Sequence, residues 1–349
     1  AKEVKTVYNR DGELIGGRLM SELTVENLFN VLDESTLVIQ NKLEMSYLEA
    51  LVETGLNIFE NKVLQEELDA DTVVRLKNLY DACSLDGAKQ ETVRKGIQLA
   101  LLKGMKKGIQ PHHAMTPDSV AHLIGYLVKK YKEVLNLDNM KILDPAVGTG
   151  NLLTSVLNQL DGENVEAYGA EPDDLLLHLG FVNANLQKHQ VEFLHQDSVK
   201  PLYIPQVNTV VTDLPVGYYP HEEAAANYEL KAEEGMSYVH HLLIEQSLNM
   251  TEDSGMLFLM IPNFLFGDDG AKQVRNLLND RSVIHGIIQL PTSLFANESQ
   301  AKSILVTQKK GEHMLKPKQV MMAKLPSFSN REAMLNMMQQ INGWFSQLS

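Results

Sequence analysis

The segment KILDPAVGTGNLL (141–153) is the part of the sequence whose residue types most directly suggest chemistry. It reads as a strand, a turn and the start of a helix. Gly148 and Gly150 let the backbone approach a ligand where a Cβ would clash, and Asp144 ends the strand at the edge where open α/β sheets bind ligands. The same Gly-x-Gly pair also occurs in plain turns. Leu153 stands in place of the third glycine of dinucleotide sites, and no P-loop lysine follows, so a phosphate cradle is disfavoured.

Acidic residues follow the next two apolar runs. Glu171 and Pro172 end YGAEP, about twenty residues after the glycines, where an acid suits the two hydroxyls of a ribose. Asp197 and Ser198 lie in HQDSV, and a carboxylate there can accept a hydrogen bond from the exocyclic amine of adenine. Glu171 by itself is also compatible with a solvated loop carboxylate. Together with the glycine turn, the two acids predict a nucleoside site without a phosphate cradle, which suits S-adenosylmethionine better than NAD.

Seven short apolar runs after residue 110 are the predicted strands that would position these residues. They alternate with helical patterns, which is typical of βαβ units and a mostly parallel sheet. The loop 291–302 is too short for a helical crossover, so the last strand is predicted to be antiparallel. The runs are Lys141–Leu143, Glu166–Ala170, Val191–Leu194, Thr209–Val211, Met256–Ile261, Ile284–Leu290 and Ser303–Thr307. We therefore expect an α/β, Rossmann-like sheet of seven strands.

The segment before the sheet has a different pattern. From about residue 25 to 108, apolar residues such as Leu28, Val31 and Leu32 recur at spacings of three and four, which predicts an all-helical domain of four or five helices. Residues 1–19 precede Met20, which looks like a translation start, and we expect them to be a leader or an artificially appended segment outside the fold. The predicted organisation is a leader (1–19), a helical domain (20–110), an α/β domain (111–325) and a C-terminal helix (326–349).

Composition limits the classes of function. The 349 residues suit two domains, and no apolar run is long enough to span a membrane. The net charge of −14 weighs against a large nonspecific nucleic-acid surface, because phosphate contacts supply most of such binding. Cys83 is the only cysteine, which fits a reducing cytoplasm, the location we expect. The pairs His112-His113 and His240-His241 lack a cysteine or carboxylate that would complete a metal site, so we expect no metal.

Several motifs stand in a characteristic order between about residues 110 and 310. They are MTPDSV (115–120), ILDPAVGTGNLL (142–153), YGAEPDD (168–174), NANL (183–186), HQDS (195–198), DLPVG (213–217), GMLFLMIPNFLF (255–266), VRNLL (274–278) and GIIQLPTSLF (286–295). In order and spacing, this set resembles the N6-adenine DNA methylase family, a group of class I S-adenosylmethionine-dependent methyltransferases. The modification subunits of type I restriction systems are especially similar. The N-terminal helical domain resembles those subunits only in its general pattern.

The resemblance implies a role for each matching residue. Thr116 and Pro117 match the segment over the methionine end of the cofactor, Glu171 matches the ribose ligand, and Asp197 matches the adenine ligand. The implied cofactor-binding residues are Thr116, Pro117, Asp144, Ala146, Gly148, Gly150, Asn151, Leu152, Glu171, Pro172, Asp197, Ser198 and Asp213. The segment 213–216 matches the catalytic tetrapeptide, which is normally Asn or Asp, Pro, Pro and an aromatic residue.

The tetrapeptide has a physical purpose that this sequence keeps in part. An adenine amine is a poor nucleophile because its lone pair is delocalised into the ring, and Asp213 with the Leu214 carbonyl can accept its two N–H bonds. Leu214 in place of proline is expected to loosen the turn before Pro215. Val216 cannot stack on a flipped base, an interaction worth about 1–3 kcal/mol, unless Tyr218 or the next tyrosine replaces it. Those tyrosines are equally compatible with a hydrophobic lid.

Two hypotheses follow. The first is an N-methyltransferase with Asp213, Leu214, Pro215 and Tyr218 as catalytic residues, acting on adenine N6 in DNA or, as variants, on RNA or a protein glutamine. DNA is then the expected partner, although the acidic net charge opposes it. Only about forty residues follow the last strand, too few for a recognition domain, so a protein partner is expected to supply target recognition. The second hypothesis is a cofactor-binding regulator or partner-binding module whose catalytic loop no longer acts.

Overall fold

The computed structural model describes residues 7–8, 14–15, 23–106, 115–160, 164–267 and 270–348. Two short strands, β1 (Val7–Tyr8) and β2 (Leu14–Ile15), pair antiparallel within the expected leader. The expected start at Met20, the domain boundary predicted at residue 110 and the pair His112-His113 lie outside the described residues.

Four helices make up the first unit, in agreement with the predicted helical pattern. They are α1 (Val25–Leu43), α2 (Tyr47–Phe59), α3 (Ala70–Asp81) and α4 (Gln90–Met105). Polar residues fix where the helices begin. Ser46 and Glu49 form a reciprocal capping box at the start of α2, and the Asp69 carboxylate accepts the Thr72 N–H at the start of α3.

The second unit alternates strands and helices. Its strands are β3 (Asn139–Asp144), β4 (Asn164–Glu171), β5 (Val191–His195), β6 (Val207–Asp213), β7 (Thr251–Pro262), β8 (Ser282–Gln289), β9 (Lys302–Lys309) and β10 (Met321–Lys324). Its helices are α5 (Asp118–Leu135), α6 (Asn151–Gln159), α7 (Asp174–Leu186), α8 (Glu222–Ala225), α9 (Val239–Met250), α10 (Ala271–Arg281) and α11 (Arg331–Phe345).

The strands form one sheet in the order β10-β8-β9-β7-β6-β3-β4-β5. All seven predicted strands are present, but the predicted number is corrected to eight. The additional strand, β10, pairs parallel to β8 at the sheet edge, with Met321 opposite Gly286. Four residues with two unbranched methionines carry little β-strand signal, which explains why the sequence pattern did not reveal this strand.

The direction of β9 matters for the site. As predicted, it runs antiparallel, pairing with β7 on one side and β8 on the other. The loop before it contains two short 3-10 helices instead of a crossover helix. Because β9 runs opposite to the other strands, its first residue, Lys302, lies at the edge where β6 and β7 end.

Both faces of the sheet are covered by helices. One core contains Leu127 from α5, Phe258 from β7 and Ile341 from α11, all almost fully buried. The helical unit packs against α7, where its core includes Leu179 and Val182. A Cβ added to Gly55 in α2 would lie 2.1 Å from Val182, so the two helices approach closely only because this residue is glycine. Among the described residues, no helix has the length and apolar character needed to cross a membrane.

Candidate active site

The glycine loop and the acid after the next strand are joined by hydrogen bonds. Gly148 and Gly150 adopt left-handed conformations, with φ values of 52° and 74°. This turn brings the Gly148 N–H to 3.0 Å from the Glu171 carboxylate, while the Ala146 N–H donates to Asp144 at 3.1 Å. The contact is possible because β3 and β4 are parallel neighbours whose ends lie side by side. The structure therefore brings together the loop and the acid that the sequence predicted as partners.

Asp144 is a buried carboxyl in an acidic environment. Its side chain is 1% exposed, and burial raises its pKa from 3.8 to about 7, with further contributions from the charges of Asp213 and Glu171. Three carboxyl groups at one sheet edge disfavour an anionic ligand and favour a cation. S-adenosylmethionine carries a positive sulfonium and an amino group, so these residues fit its methionine part, and Glu171 fits its ribose.

Asp197 follows the end of β5, and hydrogen bonds to both of its carboxylate oxygens hold it in place. One carboxylate oxygen accepts the Val199 N–H at 3.0 Å, and the other accepts the Tyr219 hydroxyl at 2.6 Å. The Ser198 hydroxyl donates to the Pro145 carbonyl at 2.6 Å, so its side chain supports the glycine loop. The Pro172 carbonyl oxygen lies 3.0 Å from Nε2 of His195. The sequence had identified Asp197 and Ser198 without indicating these partners.

Asn151 connects the loop to the segment predicted to cover the cofactor. Its amide donates to the Thr116 carbonyl at 3.0 Å, and its oxygen accepts from Arg94 of α4 at 2.7 Å. Pro117 directly precedes α5 as its N-cap residue. The neighbouring Leu152 is 3% exposed and its side chain packs in the core, so only its backbone at the start of α6 can face a ligand. The Asn151 side chain therefore positions Thr116 through its hydrogen bonds and does not itself face the ligand edge of the sheet.

Arg94 brings the helical unit into contact with the site. Its side chain is fully buried and donates to both oxygens of Glu91, to Asp118 and to Asn151. Although burial opposes it, hydrogen bonds from Arg94 and His122 lower the pKa of Glu91 well below its usual range. Ligand atoms of Glu91, Asp118 and His122 lie within 4.8 Å of one another, which is compatible with a metal ion. The guanidinium of Arg94 already supplies the positive charge there.

The catalytic loop carries the most informative contacts. Asp213 ends β6 and accepts the Thr116 hydroxyl at 2.9 Å. Its other oxygen lies 2.5 Å from Nζ of Lys302, and the same ammonium donates to the Leu214 carbonyl at 2.8 Å. The Leu214 N–H donates to the Met260 carbonyl at 3.2 Å, a bond that proline could not form. This bond fixes the turn that the sequence was expected to loosen.

Aromatic residues border the loop. Tyr218 is 60% exposed and stacks on Tyr238, with ring centres 5.0 Å apart and planes 20° from parallel. Tyr219 is buried and bound to Asp197, so of the two tyrosines only Tyr218 is available to a base. Burial lowers the pKa of His240 to about 3 and that of His241 to about 4, which keeps both neutral beside Tyr238.

Two charged residues of the site were missed by sequence reasoning. The position of Lys302 could have been predicted from the sequence, because the first residue of an antiparallel strand must lie where the parallel strands end. The position of Arg94 could not have been predicted, since a cation in an amphipathic helix normally lies on the solvated face. Its burial depends on carboxylates contributed by α4 and α5, which no local pattern reveals.

Two family models match the chain. Residues 105–342 match the family model described as N-6 DNA Methylase. The chain belongs to the N-6 DNA methylase family. Residues 26–105 match a second family model, the YtxK N-terminal helical domain.

Several relatives cover most of the chain. It is 46% identical to YtxK of Bacillus subtilis, a protein described as uncharacterized, over 91% of this chain and 96% of that protein. A crystal structure from Listeria monocytogenes, described as that of a candidate class I S-adenosylmethionine-dependent methyltransferase, matches with a TM-score of 0.85 and 42% identity, over 92% and 98% of the two chains. S-adenosylmethionine is thus the cofactor, and the chain is a class I methyltransferase by family and fold.

Restriction-modification proteins are more distant. The methylase subunit of the EcoEI type I restriction enzyme from Escherichia coli is 26% identical over 49% of this chain, a match that spans 38% of that subunit. A modification subunit from Vibrio vulnificus has a TM-score of 0.65 at 12% identity, over 95% and 92% of the chains, which shows a shared fold. These two relatives leave the methyl acceptor of this chain undefined.

Proposed function

We propose that the protein methylates an amino nitrogen, and that adenine N6 in DNA is its target. One observation carries the proposal. The Asp213 carboxylate and the Leu214 carbonyl both accept hydrogen bonds from a single nitrogen, at 2.5 and 2.8 Å. The nitrogen is that of Lys302, and its position illustrates how this pair of oxygens can hold an amine at the ligand edge of the sheet.

The residues around the pair would act on the amine in defined ways. Two accepted N–H bonds would turn the lone pair of the nitrogen out of conjugation and towards the methyl donor. The hydroxyl of Thr116 orients the Asp213 carboxylate, which would take up the proton that the amine loses. S-adenosylmethionine supplies a methyl group bonded to a positively charged sulfur. Asp144 and Glu171 would hold the amino-acid and ribose ends of that cofactor.

Tyr218 would take the stacking role that Val216 cannot fill. Its ring is exposed on the catalytic loop and is supported from one side by Tyr238. A base stacked on this ring would gain about 1–3 kcal/mol. We also propose that a protein partner supplies target recognition. The proposed location is the cytoplasm, where the thiol of Cys83 stays reduced.

A second function has support from two observations. The ammonium of Lys302 fills the acceptor pair, as expected for a cofactor-binding regulator that does not transfer methyl groups. Residues 215–237, which follow the catalytic turn, contain five glutamates and one lysine, an acidic composition that disfavours contact with phosphates. Against this alternative, the catalytic loop keeps the Asp213 carboxylate, which the Thr116 hydroxyl orients at 2.9 Å.

Labelled methyl transfer from S-adenosylmethionine distinguishes the two functions. Unmethylated DNA, RNA and a glutamine-containing protein are offered separately, and the modified nitrogen is identified by mass spectrometry. We expect N6-methyladenine in DNA, its loss in Asp213→Ala, and partial retention in Asp213→Asn, which keeps one acceptor oxygen. Label in RNA or protein alone would replace the DNA target, and cofactor binding without transfer to any acceptor would favour the regulator.

A further inference from the structure

Lys302 is a partly buried lysine that differs from Lys309 on the same strand by its contact with the catalytic loop. Its side chain is only 18% exposed, and its Nζ contacts the two oxygens that the proposed function assigns to the target amine. It also belongs to β9, whose backbone is fixed by hydrogen bonds to strands on both sides. The ammonium is therefore attached to a rigid part of the fold and directed into the acceptor pair.

Target binding and this contact exclude each other. An ammonium donates strongly to a carboxylate and a carbonyl, whereas the amine of adenine is a neutral donor. An incoming neutral amine cannot match the charged interaction with Asp213. The Lys302 side chain would have to leave both oxygens before a target nitrogen could reach either of them.

We propose that Lys302 is a specificity-determining residue that occupies the position of the methyl-accepting nitrogen and must be displaced by the substrate. This inference rests on the proposed function, because it takes the Asp213–Leu214 pair as the acceptor site. A substrate gains entry only if its remaining contacts compensate for the broken ion pair. The selectivity of the site thus favours acceptors bound over a large surface, such as a polymer, over a free nucleoside.

The lysine also affects the cofactor side. Asp213 is one of the carboxylates that favour a cation at the sheet edge, and the ammonium at 2.5 Å neutralises it. Without Lys302, the freed carboxylate attracts the positive sulfonium of S-adenosylmethionine more strongly. S-adenosylhomocysteine has a neutral sulfur and gains nothing from this change. The ratio of the two dissociation constants therefore reports on Lys302 without reference to any methyl acceptor.

The test compares Lys302→Met with the wild-type full chain. Lys302→Thr is the second variant, and Lys310→Met is the matched control, since Lys310 is exposed next to the end of the same strand and its side-chain ammonium donates to the Asn279 carbonyl. At subsaturating DNA, we expect methyl transfer by Lys302→Met to be about tenfold faster than by wild type, as for loss of one charged hydrogen bond that competes with the substrate. The control should stay within about twofold of wild type.

Binding of the two cofactor forms is measured by calorimetry on the same proteins. We expect Lys302→Met to shift the preference towards S-adenosylmethionine by about fivefold relative to Lys310→Met, because one nearby charge no longer opposes the sulfonium. An equal or slower transfer rate in an active Lys302 variant would overturn the proposal. If neither the wild type nor any variant methylates DNA, the proposed DNA target is wrong, but the role of Lys302 is still tested by the ratio of the two dissociation constants. An unchanged ratio in Lys302→Met would overturn that role. Loss of the folded state in both Lys302 variants would make it a structural residue and would also overturn it.

Discussion

Replacing Asp144 with asparagine should stabilise the cofactor-free protein and weaken its binding of S-adenosylmethionine. The carboxyl group is buried, and burial raises its pKa to about 7, compared with 3.8 in the unfolded chain. The folded state therefore prefers the protonated form. Because the folded pKa lies above the unfolded one, stability is fully present below about pH 4 and is lost as the pH rises towards 7.

The size of the effect follows from the two pKa values. At about 1.4 kcal/mol for each pH unit, the interval from 3.8 to about 7 corresponds to about 4 kcal/mol of lost stability at pH 8. Asparagine keeps an oxygen for the Ala146 N–H but carries no charge. The advantage of Asp144→Asn should therefore increase by about 1.4 kcal/mol per unit between pH 4 and 7, and remain constant above pH 7.

Urea unfolding of the cofactor-free protein at pH 5, 6, 7 and 8 measures this difference. Asp86→Asn serves as control, because its carboxylate is 92% exposed and should give no pH-dependent difference. At pH 8, titration calorimetry should show weaker binding of S-adenosylmethionine to Asp144→Asn. A stability difference that does not change with pH, or a variant less stable at pH 8, would refute the assignment of a buried, cation-binding carboxyl to this position.

Three further substitutions test other parts of the site. Arg94→Met leaves two carboxylates and Asn151 without their donor. Because those carboxylates are about one third exposed, we expect the loss in the free energy of unfolding by urea to lie at the low end for a buried ion pair, about 3 kcal/mol. A loss below about 1 kcal/mol would contradict the role of this cluster. Glu171→Gln should raise the dissociation constant of S-adenosylmethionine by at least about tenfold in calorimetry, since a charged acceptor for the ribose is lost; unchanged affinity would remove Glu171 from the cofactor site. Tyr218→Ala should raise the KM for DNA by about tenfold or more with unchanged cofactor affinity, because the base loses its stacking partner beside Tyr238; an unchanged KM would assign the stacking to another residue.

The sequence was sufficient to predict the frame of the site. Strand ends are visible as polar residues after apolar runs, and parallel strands end at one edge, so Asp144, Glu171 and Asp197 could be expected at or just after the ends of the neighbouring strands β3, β4 and β5. The antiparallel direction of β9 could be predicted from the short connection before it, whereas the order of the strands was not predicted. These features depend on patterns that are local in the chain.

The contacts that tune the site could not be predicted in the same way. The bond between Lys302 and Asp213 joins residues 89 positions apart, and the bond between Arg94 and Asn151 joins residues 57 positions apart. Arg94 is buried and Lys302 is largely shielded from solvent, and each depends on partners that are distant in the sequence. Leu214 shows a related effect, since its amide reaches the Met260 carbonyl on a neighbouring strand and fixes a turn that appeared weakened in the sequence alone.

In the proposed mechanism, the cofactor presents its methyl group to the Asp213–Leu214 pair. A crystal structure of the protein with S-adenosylmethionine tests this most directly. We predict the ribose on Glu171, the adenine near Asp197, and the methyl carbon about 3–3.5 Å from the position where Lys302 Nζ contacts the two oxygens. A cofactor bound with its methyl group directed away from this pair would rule out Asp213 and Leu214 as the acceptor site.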